Sequence, residues 1–287
     1  MILVTGAFGF IGSHLTRTLL AEGAAVRGVS RRERAAEFGV VVGDLTHPDT
    51  CARAVEGVDE VYHLAALGWG LGENQKYPAQ LLTQNVLMST HLLEAARRAG
   101  VKRYLYASSS SVYPGHAEVL DESIAWDAPP HGSEETFGWA KRLGEIQARA
   151  YFKDYGMKVA IVRPSNPYGP GDDADPSRAH VIPSLLHRVR SGESPLVVWG
   201  SGRAVRSFIF VDDVVRGMRL AMERADADPV NLASPEETRI GDLARMIVEL
   251  CGRAVEVRFD PSRPEGHPRK VPSVKKAEAK LGFRAAI

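Results

Sequence analysis

The chain reads as an α/β protein, a doubly wound parallel sheet followed by a smaller C-terminal α/β lobe, and three observations predict it. Apolar runs of strand length alternate with longer segments whose apolar residues recur at helical spacing, as in a parallel sheet covered by helices. The opening stretch Met1-Ile-Leu-Val-Thr-Gly-Ala-Phe-Gly-Phe-Ile-Gly12 sets three glycines between an apolar run and a helical pattern. Regular alternation stops at Arg163-Pro-Ser-Asn-Pro-Tyr-Gly-Pro-Gly171, where prolines and glycines mark a change of architecture. The expected division is a Rossmann dinucleotide-binding domain over 1–164 and a mainly substrate-binding lobe over 165–287, with 203–224 returning to the first domain.

The first strand is Ile2 to Val4, and a helical pattern begins at Ile11 with Leu15, Leu19 and Leu20. Between them Gly6 permits the tight turn, Gly9 lets the backbone approach a pyrophosphate, and Gly12 lets helix and strand pack closely. Phe8, Phe10 and Ile11 share that loop, and the helix N-terminus offers unpaired N–H donors to phosphate. A turn without a ligand is the plain alternative.

Gly23 closes the helix, Ala24 to Val29 form the second strand, and Ser30-Arg31-Arg32 follow. An acid here would bind the adenosine 2′-hydroxyl, whereas arginine accommodates a 2′-phosphate. NADP is therefore expected, with NAD possible; a solvated basic loop beside Glu33 is the alternative. Val40 to Val42 is the third strand, and Asp44, before Leu45, either accepts from an adenine amino group or caps the turn before Pro48. Asp59 to Leu64 is the fourth; the small Ala65 and Ala66 after Leu64 suit a backbone lying against a cofactor, and His63 reads as a packed structural histidine.

Residues 79–99 form a long helix closed by Gly100, and Lys102 to Ala107 the next strand, running into Ser108-Ser-Ser-Ser-Val-Tyr113. Serines at the C-terminal end of a parallel strand lie where such sheets bind ligands, though a serine also forms turns. Glu134 to Tyr155 is a second long helix with Phe137 and Lys141 on one face, and Met157 to Val162 is the sixth strand. Beyond it come helix His180 to Ser191, strands Leu196 to Trp199 and Arg206 to Val211, helices Asp212 to Glu223 and Ile240 to Leu250, and strand Glu256 to Phe259.

A net charge of +1 gives no electrostatic footprint for nucleic acid or an anionic membrane. No apolar run approaches the roughly 20 residues of a membrane span. Met1 sits directly before the first strand, leaving no room for a signal peptide, so a cytoplasmic protein is expected. Cys51 and Cys251 stand too far apart for a metal-ligand motif, and no metal site is expected.

Taken together, the motifs resemble the extended short-chain dehydrogenase/reductase family, the NAD(P)-dependent nucleotide-sugar epimerases, reductases and dehydratases. They are Thr5-Gly-Ala-Phe-Gly-Phe-Ile-Gly12, His63-Leu-Ala-Ala66, Asn85-Val86, the serine run to Tyr113, Arg163-Pro-Ser-Asn-Pro-Tyr-Gly169 and Phe208-Ile-Phe-Val-Asp212, in family order. The resemblance implies a cofactor on the N-terminal sheet and a nucleotide-diphosphate sugar beneath the C-terminal lobe. It implies that Ser109 is the active-site hydroxyl and that Lys141 holds the nicotinamide ribose and lowers the pKa of a catalytic tyrosine. Asn166 and Arg206 match residues facing the substrate diphosphate, and Arg263 is a candidate second arginine; a guanidinium fork suits phosphate oxygens. Their alternative is a surface salt bridge.

Ser110 and Ser111 occupy the substrate-facing places where dehydratases and decarboxylases carry acids, which argues against both activities. Ser177-Arg-Ala-His-Val-Ile-Pro183 and Val197-Val-Trp-Gly-Ser-Gly202 are similar to GDP-fucose synthase-like epimerases. There His180 matches a proton donor, with Val181 beside it at the substrate, and Ser111 matches a cysteine base; His180 as a helix cap is the alternative. The resemblance also implies a homodimer in which helices 79–99 and 134–155 form a four-helix bundle with their counterparts.

One departure is central: the family's Y-x-x-x-K tyrosine falls on Phe137. Deleting that hydroxyl removes acid–base work typically worth about 10²–10⁴-fold, or roughly 3–5 kcal/mol of barrier. Phe137-Gly-Trp-Ala-Lys141 otherwise follows the pattern so closely that an engineered tyrosine-to-phenylalanine change is the expected origin, with a natural chain that works differently as the alternative. The function expected is a nucleotide-sugar epimerase acting at sugar carbon 4 through a transient keto sugar, impaired by Phe137. An NADPH-dependent 4-keto nucleotide-sugar reductase is second, and a cofactor-sensing non-enzyme third.

Overall fold

A computed structural model describes residues 1–68, 76–116, 118–175 and 179–287. Six apolar runs form the strands β1 (Ile2–Thr5), β2 (Val26–Ser30), β3 (Gly39–Val42), β4 (Glu60–His63), β5 (Arg103–Ala107) and β6 (Lys158–Pro164). With β11 (Val230–Leu232) they make one seven-stranded sheet in the order β3-β2-β1-β4-β5-β6-β11, every pair parallel. The reversal beside β1 is the switch point at which doubly wound sheets open a crevice for ligands.

Helices cover both faces because the sheet's interior residues are apolar on both. On one side α1 (Phe10–Ala21), α6 (Val211–Arg224) and α8 (Lys275–Leu281) bury Leu15, Leu19, Val214, Met218 and Leu281 against Val4, Leu105 and Val162. On the other, α2 (Pro48–Val55), α3 (Pro78–Arg98) and α4 (Glu135–Tyr155) bury Cys51, Val55, Leu92, Leu93 and Ala148 against Leu3, Val61, Tyr104 and Ile161. Gly138 brings α4 down onto the serine run: a Cβ there would lie 2.4 Å from the Ser111 carbonyl oxygen and 2.6 Å from Pro130. Any larger residue would lift Phe137 and Lys141 away from β5.

The smaller lobe packs α5 (Val181–Arg190) and α7 (Ile240–Leu250) around the parallel pair β8 (Leu196–Trp199) and β13 (Val257–Asp260). A second small sheet runs β12 (Thr238–Arg239), β9 (Val205–Arg206) and β14 (Arg269–Lys270), and β7 (Pro167–Tyr168) pairs with β10 (Ile209–Phe210). The strand expected over Arg206 to Val211 is in fact two: β9 pairs in the lobe, Ser207 and Phe208 break the run, and β10 pairs with Pro167 and Tyr168. Val211 already belongs to α6, whose first turn holds Asp212 and Asp213, acids that suit a helix N-terminus. Helices α2 and α8 and strand β11 come in addition to the expected elements. Among the described residues no helix is long and apolar enough to cross a membrane, and no group of His, Cys, Asp and Glu could hold a metal ion.

Candidate active site

The crevice at the switch point opens into a cavity of about 1170 Å³, running from the glycine loop across the ends of β1, β4 and β5 to the smaller lobe. At its first end Gly6 adopts φ +73°, and a Cβ on Gly12 would sit 2.0 Å from the Gly6 carbonyl oxygen. Helix α1 can therefore reach the loop only with glycine there. Gly9 is its N-cap and makes no side-chain cap, so the first-turn N–H groups face the cavity end with no internal partner. Phe10 and Ile11 line the cavity; the Phe8 ring turns to stack on Phe38 at 5.5 Å, with the Arg34 guanidinium above it, and does not line it.

Ser30 and Arg31 line the same end. Arg32 does not; its backbone N–H donates to the Ser30 hydroxyl at 3.2 Å. Asp44 accepts from the Thr46 N–H and hydroxyl, both at 2.9 Å, so one of its oxygens caps the turn while the residue also lines the cavity beside Leu45. Burial pushes its carboxyl up, but the Thr46 bonds and the Arg31 charge outweigh that and hold it below the usual range.

Leu64, Ala65 and Ala66 form the cavity wall after β4. The Thr5 hydroxyl accepts from the Leu64 and Ala65 N–H groups at 3.1 Å and meets His63 Nδ1 at 2.9 Å. His63 is sealed in the core and reaches Ser89 with its other nitrogen; burial, with the Lys141 charge adding to it, pushes its pKa down to about 3. It is the packed, neutral histidine the sequence implied. Asn85 fixes the next stretch by exchanging two hydrogen bonds of 2.8 Å with the Leu67 backbone.

Ser109, Phe137 and Lys141 meet at the centre, all lining the cavity. Lys141 Nζ donates to the Ala107 carbonyl at 2.8 Å and lies 5.4 Å from the Phe137 ring centroid. Burial brings its pKa down to about 8, against the pull of Glu145. Ser109 caps a short 3-10 turn over Ser110–Val112, accepting from the Ser111 N–H, and its hydroxyl lies 3.1 Å from the Ser111 hydroxyl.

The far end carries Ser110, Ser111, Asn166, His180, Val181 and Arg206. Asn166 holds φ 43° and donates to the Ser207 carbonyl at 2.8 Å. Arg206 is anchored through the Val205 and His267 carbonyls at 2.9 and 2.5 Å. His180 is the N-cap residue of α5 but makes no side-chain cap; its Nδ1 lies 3.5 Å from Asp172. Ser177 and Arg178 of its motif lie outside the described residues. Arg263 does not line the cavity: its guanidinium lies over Trp199, 3.7 Å from Asp260.

Four cavity-facing or adjoining groups escaped the sequence reading: Glu134, Lys270, His131 and His267. Lys270 Nζ donates to both Glu134 oxygens, at 2.6 and 2.9 Å, and to the Ser111 hydroxyl at 3.4 Å. Burial pushes the Glu134 carboxyl up, but Lys270 outweighs it and holds it below the usual range. The His131 and His267 rings pack with centroids 4.8 Å apart. His267 is buried, its Nδ1 without a partner among the described residues, and burial lowers its pKa to about 4. An acid opening a long helix was the one sequence signal for Glu134; nothing near Lys270 marks it.

A glycine turn on a helix N-terminus, a buried helix lysine bonded to the end of a strand and a cleft between two lobes define a nicotinamide-dinucleotide enzyme of the Rossmann class. The chain belongs to the NAD dependent epimerase/dehydratase family, whose model matches residues 2–233. It is 36% identical over 286 residues to a dTDP-4-dehydro-6-deoxy-D-allose reductase of Streptomyces bikiniensis, covering 94% of this chain and 87% of that one. It is 33% identical over 279 residues to GDP-mannose 3,5-epimerase 1 of Oryza sativa subsp. japonica, covering 92% and 72%. The solved UDP-glucose 4-epimerase of Thermotoga maritima, with UDP-glucose, superposes with a TM-score of 0.90 at 28% identity, covering 100% of this chain and 94% of that one. Similar solved chains include some bound to NAD and one bound to NADP.

Proposed function

We propose that the chain is an NADPH-dependent reductase of a keto nucleotide sugar, with the ketone at sugar carbon 4. The observation that carries this reading is the adenosine end of the cavity, where Ser30 and Arg31 stand and β2 ends without an acid. Arg31 suits a 2′-phosphate, the mark of the cofactor that reductases consume. Gly6 to Gly12, Ser30, Arg31, Asp44, Leu64 to Ala66 and Lys141 would hold the cofactor, which when bound exchanges a hydride with a sugar carbon. Ser109 meets the sugar oxygen, Asn166 and Arg206 take the diphosphate, and His180 and Val181 border the sugar, all under a lobe drawn mainly from 165–287.

Phe137 supports the same direction. Losing an acid–base group slows a hydride transfer equally both ways, and the step from alcohol to ketone, being uphill, has the least rate to lose. An epimerase must take that step first. The likeness to a reductase over 94% of the chain agrees. Epimerisation at carbon 4 is the second reading, favoured by the likeness to a UDP-glucose 4-epimerase over the whole chain.

A homodimer accompanies either reading, through the exposed apolar residues Leu82 and Leu87 of α3 and Leu143 and Ile146 of α4. Light scattering at micromolar concentration checks it, and a monomer there removes it.

The test is to incubate the protein with NADPH and a dTDP-4-keto-6-deoxy sugar, and separately with oxidised cofactor, NADP⁺ or NAD⁺, and UDP-glucose. NADPH oxidation with the keto sugar alone is expected. Epimerisation of the hydroxy sugar with no net cofactor change would put the second reading first.

A further inference from the structure

We infer that Ser111, Lys270 and Glu134 form a proton relay behind Ser109, which does the work of the hydroxyl missing at position 137. The inference rests on the reductase reading and concerns how the proton arrives. Reducing a ketone leaves negative charge on its oxygen, and a serine hydroxyl alone is too weak an acid to be a good proton store near neutral pH. Here the Ser109 hydroxyl does not stand alone. It lies 3.1 Å from the Ser111 hydroxyl, which lies 3.4 Å from the Lys270 ammonium, itself held by both Glu134 oxygens. All four residues line the cavity, and Ser111 and Lys270 are buried. Arg206, His131, His267 and the Ser111 hydroxyl also face the pair; burial pushes the Glu134 carboxyl up, and the Lys270 and Arg206 charges outweigh it.

The transfer balances as three proton hops and no change of electrons in the protein. The substrate oxygen takes the Ser109 proton, Ser109 takes that of Ser111, and Ser111 takes one from the Lys270 ammonium. Lys270 is left neutral beside Glu134 and is recharged by water at the cavity mouth. The electron pair that makes the new carbon–hydrogen bond comes from the reduced nicotinamide cofactor.

Geometry favours this over a purely structural ion pair. Lys270 lies on β14 of the lobe and Glu134 opens α4, so a pair meant only to join the lobes need not touch a hydroxyl of the serine run. Phe137, one turn beyond Glu134 on α4, keeps its ring against Lys141 and supplies no proton.

The experiment compares the unaltered chain with Ser111→Ala, Lys270→Ala and Lys270→Arg in single-turnover reduction of a keto nucleotide sugar by NADPH, with cofactor affinity measured for each. Ser111→Ala and Lys270→Ala should lose roughly 10²–10⁴-fold in rate while cofactor affinity stays within about threefold. Lys270→Arg should be as slow, because a guanidinium keeps the ion pair but does not release its proton. Added methylamine should restore the Lys270→Ala rate at least about tenfold and leave Lys270→Arg unchanged. A Lys270→Arg variant at the unaltered rate, or a folded Lys270→Ala variant that amines do not rescue, overturns the relay. An unaltered chain that epimerises but reduces nothing sinks the reductase reading alone, and the same variants are then scored by epimerisation. A chain with neither activity sinks both.

Discussion

Helix α4 carries two carboxylate–cation pairs about three turns apart, and they behave as two kinds of structure. Glu145 and Arg163 lie in the floor beneath the sheet, 0% and 1% exposed at their side chains and 2.7 Å apart. The pair is tied into a wider network: Ser108 donates to Glu145 at 2.5 Å, Arg163 to the Tyr113 hydroxyl at 2.9 Å, and Tyr113 to Asn231 at 2.6 Å. Glu134 and Lys270, at 26% and 6%, instead face the cavity and touch Ser111, whose hydroxyl lies 3.1 Å from that of Ser109. The same chemistry sealed from water holds β5, β6, β11 and α4 in register; opened to a cavity it becomes a place where protons can move.

The comparison breaks first on stability. Glu145→Ala leaves Arg163 charged and unpaired in the core and should cost about 3–5 kcal/mol in urea denaturation. Glu134→Ala should cost less, about 1–3 kcal/mol, because the buried Lys270 ammonium loses its carboxylate but keeps Ser111 beside it at the cavity wall. Equal costs would erase the distinction.

Lys141 sits between the two pairs and gives a pH test. Its folded pKa, about 8, lies below the ordinary lysine value of about 10.4. Between these pH values the unfolded chain holds a proton that the folded chain has released, so stability rises with pH across that window. Relative to Lys141→Met, the apo chain should gain up to about 3 kcal/mol from pH 8 to 10 or so. A flat difference between the two would show that Lys141 is not desolvated.

At the adenosine end, Arg31→Ala should weaken NADPH by about 1.5–3 kcal/mol, the worth of a charge-assisted hydrogen bond, and leave NADH nearly unchanged by calorimetry. Equal or better affinity of the unaltered chain for NADH would overturn the cofactor assignment while leaving the hydride chemistry intact. The smallest effect expected is that of Phe137→Tyr. With a relay already supplying the proton, a restored phenol should raise the reduction rate less than about tenfold, or 1.4 kcal/mol. A gain of 10²–10⁴-fold would mean that position 137 is still the missing acid–base group.

The cofactor half was legible because its signals are local. Gly6 and Gly12 must be glycine for reasons of one turn, and Ser30-Arg31 and His63 to Ala66 each sit at the end of a strand readable from its own apolar run. The far half is assembled from distant stretches: Ser111, Glu134 and Lys270 meet only through the fold. No periodicity marks a lysine on a two-residue strand. Short elements escaped for the same reason, β11 having three residues and α8 seven, too few to show a period. Phe8 and Arg263 lie next to motifs whose other members face the cavity, yet each side chain found an aromatic partner outside it.

The reductase reading is tested most directly by following a label. With NADPH deuterated on the transferred position and a keto nucleotide sugar, the hydroxy sugar formed should carry deuterium at the reduced carbon, with cofactor consumed in equal amount. Keto sugar recovered unreduced with the cofactor unspent, while the same protein with oxidised cofactor epimerises a hydroxy nucleotide sugar, would contradict it.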